Sequence, residues 1–179
     1  MNHRPAFSLA DSSNLLRRTP ALLDTWLRDL PEDWLHANEG PDTFSAFGVL
    51  GHLVYGERSD WIGRARHILE QRAGAFERFD RFGHQAEFKD VPLAGLLDTF
   101  ANLRADNLDR LRALAITNAQ LESQGTHPTF GSVTLGELLS TWVVHDQSHI
   151  AQIARVLAKC YSANVGPWRE FLPILTDRA

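Results

Sequence analysis

Two histidines one helical turn apart, His145 and His149, stand inside the stretch VTLGELLSTWVVHDQSHIAQIARVLAKCY from Val133 to Tyr161. At 100° per residue both side chains leave the same face of a helix, and their ring nitrogens can converge on one ion. That face also carries Leu135, Leu138, Trp142, Ile153 and Val156, so the pair lies within an apolar stripe. Neutral imidazoles buried without partners are costly, so a metal or several hydrogen bonds must satisfy them. Two ligands are seldom sufficient, and His52 is the candidate third. It shares a helical face with Ser45, Gly48, Val49, Gly56, Ser59 and Gly63, a stripe of small residues. Glycine costs about 1 kcal/mol in a helix interior, so three on one face point to close helix contact or an open cavity. Three imidazoles with open positions make the donor set of a catalytic metal rather than a closed structural one. They suit Zn, Ni, Fe or Cu without choosing among them.

Other residues near these positions have weaker claims. Tyr55, one turn after His52, could reach the cavity as an acid or hydrogen-bond donor, or simply pack at its rim. Asp146 could orient a ligand through its ring nitrogen, or be a polar residue at a helix crossing. Trp142 reads as a core anchor or a pocket wall. Cys160 lies about 16 Å beyond His149 along a straight helix, too far to be a ligand, and packs as a small hydrophobe. His3, His36, His67, His84 and His127 are expected to be bystanders.

The elements that must position these groups read as four long helices. The first spans residues 7–30, with Thr19-Pro20 expected to kink or restart it. The second runs over 45–74 from a Ser45 cap, with Leu50, Val54, Trp61, Ala65 and Ile68 on its bulky face. The third covers 92–116. The fourth begins with a capping box, Thr134 and Glu137, and is stopped by Asn164, Gly166 and Pro167. Between them, 32–42 reads as a loop, 75–91 as a partly ordered connection and 125–132 as a turn or short hairpin, with a docked tail, WREFLPIL. No segment alternates convincingly as a strand. The fold class is all-α, an antiparallel four-helix bundle over one domain, 1–179, with the metal site between helices 2 and 4.

Composition narrows the function. The formal charge is −4 and the 18 Lys and Arg are scattered, which argues against a nucleic-acid face. No apolar run reaches the roughly 18 to 20 residues a membrane span needs. The single cysteine allows no internal disulfide, and the N-terminus has no apolar signal core, so a cytoplasmic location is expected.

The segments FSAFGVLGHLVYGERSDW and LGELLSTWVVHDQSHIAQI resemble the DinB-like (damage-inducible) family of four-helix-bundle metalloenzymes. RRTPALLDTWL and VGPWREFLPIL are also similar, so the resemblance spans nearly the whole chain. One departure is Phe44, where many members have tryptophan; it affects packing rather than ligation. The resemblance implies that His52, His145 and His149 form a divalent-metal triad, with Zn or Ni first and Fe or Mn as alternatives. It also implies a small-molecule substrate, a homodimer, and chemistry on a low-molecular-weight thiol or on water, which is transfer or hydrolysis. A non-catalytic metal-binding or dimeric interaction protein is the rival reading.

Overall fold

The computed structural model describes residues 6–176, and His3 lies outside them. Among the described residues seven α-helices follow in chain order: α1 (Leu9–Leu27), α2 (Glu32–Leu35), α3 (Ala46–Ser59), α4 (Trp61–Leu69), α5 (Gly83–Phe88), α6 (Leu93–Ala113) and α7 (Leu135–Lys159). The long helices α1, α3, α6 and α7 form a four-helix bundle in which α1 and α3 each pack against both α6 and α7. The all-α reading therefore holds.

The local signals explain most boundaries. Ser45 caps α3 by accepting from the Gly48 amide, and Thr134 and Glu137 complete the capping box of α7. Two boundaries differ from the sequence reading. The helix expected over 45–74 bends at Asp60, whose φ of −113° and ψ of −71° separate α3 from α4. The bend carries Trp61 onto Trp142, ring against ring at 5.6 Å. Conversely, Pro20 neither breaks nor restarts α1. Proline removes the amide that would bond the Leu16 carbonyl, but that carbonyl accepts from Arg104 Nη1 at 2.7 Å instead. Thr19 is therefore no cap; its hydroxyl donates to Asp146 Oδ2 at 2.6 Å.

The connections carry more structure than their composition suggests. Helix α2 lies in the expected loop 32–42, and α5 in the expected connection 75–91. Two short strands, β1 (Gln124–His127) and β2 (Gly131–Thr134), form an antiparallel hairpin leading into α7. They form the short hairpin expected at 125–132, although four residues per strand is too short to show alternation. Phe76 ties the 75–82 segment to this hairpin through its amide and the Thr126 carbonyl, 2.9 Å apart. The tail forms two 3-10 turns, Gly166–Phe171 and Pro173–Leu175, docked by buried Leu175, while Trp168 and Phe171 stay exposed.

The apolar core divides into two clusters, one around Leu23, Val54, Phe100 and Ile153, the other around Leu16, Trp61, Leu108 and Trp142. Each long helix places a buried polar residue between them: Thr19, Glu57, Arg104 and Asp146. Arg104, 1% exposed, binds Asp146 with both terminal nitrogens and Glu57 with one of them. Asn107 and the Trp142 indole also donate to Glu57. Burial works against the Arg104 charge, but the two carboxylates outweigh it and raise its pKa. This knot ties all four helices together directly beside His145.

Candidate metal centre

His52 is presented by α3, and His145 and His149 by α7. The i, i+4 spacing sets the two α7 rings edge-on with centroids 4.4 Å apart, and packing of α3 on α7 brings the His52 ring within 5.2 Å of His145 and 4.8 Å of His149. His145 Nε2 lies 3.1 Å from His52 Nε2 and 3.2 Å from His149 Nε2. One ligand atom from each residue falls within 4.8 Å of the others, an arrangement that could hold a metal ion.

The donor set fits such an ion. Nitrogens each about 2.0–2.1 Å from a shared tetrahedral ion stand roughly 3.3 Å apart, close to the two observed separations. Burial, then the neighbouring His149, pushes the His52 and His145 pKa values down to about 3. His149 is also lowered by burial, partly offset by its bond to Gln152 and the charge of Asp146. All three rings are thus neutral at pH 7 and their lone pairs are free to coordinate. Gln152 Oε1 lies 2.9 Å from His149 Nδ1; with the amide oxygen placed there, Nδ1–H donates and Nε2 keeps the lone pair that faces its neighbours. The Nδ1 atoms of His52 and His145 have no hydrogen-bond partner among the described residues. The Arg81 carbonyl lies near enough to His52 to favour its protonated form, but outside hydrogen-bond geometry.

The rings open onto a cavity of about 580 Å³ whose walls include Phe44, Trp61, Phe76, Phe79 and Leu138. Phe79 stands edge-on to His52 at 5.4 Å, and Trp61 edge-on to His145 at 5.2 Å. Of the glycine stripe, only Gly56 lines this cavity; Gly48 lines a smaller one behind His84, and Gly63 is exposed. The stripe was therefore a partial guide to the open space.

The remaining candidates are placed as follows. Asp146 turns its carboxylate to Arg104 and Thr19, at the helix crossing, and makes no hydrogen bond to a histidine ring among the described residues. The amide of Gln152 takes the orienting position instead. Tyr55 packs against Phe79 at 5.5 Å and beside Gly83, and it is not among the cavity walls. Trp142 is fully buried as a core anchor. Cys160 caps the end of α7, its thiol 3.6 Å from the Val156 carbonyl.

Two histidines read as bystanders lie closer than their sequence positions suggested. His84 on α5 is buried, with its ring 5.5 Å from His52, and His127 on β1 lines the cavity mouth. His84 lies outside the set of three ligand atoms that converge. Sequence reading missed Glu57, Arg104 and Gln152. The signal was present in the spacing: Phe100, Arg104, Leu108 and Leu111 continue one stripe, as do Val54, Glu57 and Trp61.

Comparison with known proteins agrees with this architecture. The solved structure of YfiT from Bacillus subtilis, described as "a probable metal-dependent hydrolase with an unusual four-helix bundle topology", superposes with a TM-score of 0.75 at 21% identity. The superposition covers 89% of this chain and 93% of that one. No curated protein matches in sequence. A family model described as the DinB superfamily matches residues 15–153, which include all three histidines and reach into all four helices of the bundle, and the chain belongs to that superfamily.

Proposed function

We propose that the chain is a metal-dependent enzyme in which His52, His145 and His149 bind a divalent ion whose open positions face the cavity. The observation that carries this reading is the convergence of three imidazole nitrogens at the wall of a substrate-sized space. A storage or sensing protein needs no such space. Zinc or nickel suits three neutral imidazoles; iron or manganese is the alternative. The ion would supply Lewis acidity, making water or a low-molecular-weight thiol nucleophilic at neutral pH.

The chain's own residues supply the rest. The buried rings stay neutral and keep their nitrogens available, and Gln152 fixes the tautomer of His149. Phe44, Phe79 and Trp61 restrict bulk water and give an apolar body a surface to lie on. Hydrolysis is the leading reaction because water is its only co-reactant, and because YfiT is described as a probable hydrolase. Thiol transfer is the second branch, and its thiol would come from solution, since Cys160 is bonded at the far end of α7.

A turnover assay separates the branches. Metal-loaded protein is tested against p-nitrophenyl esters, and separately against a thiol with 1-chloro-2,4-dinitrobenzene. The expected result is ester hydrolysis abolished by chelation and by His145→Ala. Thiol-dependent turnover alone would move the assignment to transfer, and turnover indifferent to both treatments would overturn the metal mechanism.

A further inference from the structure

The mouth of the cavity carries more positive charge than the fold uses. Five charged side chains line the space: Asp60, Arg64, Arg78, Arg81 and Glu137. Three of them are already engaged. Asp60 pairs with Arg64 at 2.5 Å, and Arg64 also donates to the Glu77 carbonyl. Glu137 is committed to the α7 capping box through the Thr134 amide at 2.7 Å. Arg78 and Arg81 remain, both exposed and without an ion pair among the described residues.

These two arginines are not randomly placed. They alternate with Phe76, Phe79 and Phe82 in the 75–82 segment, and Phe76 and Phe79 are walls of the cavity. The Arg81 guanidinium stands 5.8 Å from the Phe44 and Phe82 ring centroids, held over aromatic faces rather than by a carboxylate. Asp80 lies between the arginines in sequence but accepts from the Phe82 amide at the start of α5 and is not a cavity wall. Phe130, at the hairpin turn and also a wall of this cavity, is 76% exposed and stacked on His127 at 4.5 Å. Apolar aromatic walls and two guanidiniums without an ion pair, lining one cavity, make a surface complementary to a molecule with one apolar and one anionic end.

We infer that the cavity takes a small amphiphilic anion, an apolar body bearing a carboxylate or phosphate, with Arg78 and Arg81 binding the anionic group at the mouth. This rests on the reading of the cavity as a substrate site. It narrows that site's substrate to anions. The volume of about 580 Å³ suits a body of drug-like size. The net charge of −4 disfavours long polyanions.

Calorimetric titration of the zinc-loaded full chain with 4-phenylbutyrate, phenyl phosphate and the neutral 4-phenylbutyramide tests the inference. An anion could also bind the metal, so the same titrations are run on His145→Ala and on the double variant Arg78→Gln/Arg81→Gln. One or both anions are expected to bind about tenfold or more tighter than the amide, as loss of a charge-assisted pair implies. The stronger of the two identifies carboxylate or phosphate as the group. The preference should persist in His145→Ala and vanish in the double arginine variant. Equal binding of acid and amide, no binding of either anion at millimolar concentration, or a preference that survives the arginine changes would overturn it. A chain that holds no metal but keeps the arginine-dependent preference would refute the metal mechanism and leave this inference standing.

Discussion

Burial and mutual repulsion hold the His52 and His145 rings neutral in the folded, metal-free chain until the pH falls to about 3, whereas an unfolded histidine titrates near 6.5. Between those values the unfolded chain binds more protons, so stability rises with pH across the window and is lost as pH falls through it. Asp60 opposes this: burial raises its pKa to about 6 despite Arg64, so between 3.8 and about 6 the folded chain holds one proton more. Two histidines outweigh one carboxyl. The urea midpoint of metal-free protein should therefore fall from pH 7 to pH 4, and less steeply in His145→Leu; a flat profile in both would contradict the neutral rings. The α7 pair was legible because histidines four apart on an apolar stripe have few packing explanations. His52 was legible only through the resemblance and a glycine face that proved a partial signal. His84 was unreadable because its burial depends on how α5 folds back over α3, which no local pattern states.

At the level of elements, the arrangement of the histidine-bearing helices depends on the knot of Arg104, Glu57 and Asp146. It sits between two apolar clusters and supplies a partner for the carbonyl that Pro20 leaves free in α1. Replacing Arg104 by Met strands two buried carboxylates and should cost about 3–5 kcal/mol. Chemical denaturation measures that loss, and Arg104→Lys should rescue little because one ammonium cannot reproduce the forked contacts. A loss below about 1 kcal/mol would mean the carboxylates find other partners. The four helix spans and the capping box of α7 followed from periodicity and cap chemistry. Pro20 and Asp60 did not, because each is decided by a tertiary contact: Arg104 reaching a freed carbonyl, and Trp61 stacking on Trp142.

At the scale of the whole molecule, the bundle, its DinB superfamily membership and its likeness to YfiT agree on one scaffold, and no helix among the described residues is long and apolar enough to cross a membrane. The fold class was readable because four amphipathic helical segments leave few packing solutions, whereas the cavity mouth comes from the 75–82 segment and the hairpin, both without periodicity. A metal held only by the folded chain adds stability by mass action, about 2.7 kcal/mol at a hundredfold excess over its dissociation constant. For a chain of this size, chelation should lower the melting temperature by about 5–10 °C; an unchanged melting temperature would mean that no ion is bound to the folded state. The most direct test of the triad is elemental analysis of untagged protein with X-ray absorption at the edge of whichever metal is found. One divalent ion per chain, coordinated by three imidazole nitrogens and lost in His145→Ala, is the expected result. Metal-free native protein, or full occupancy in the variant, would contradict it.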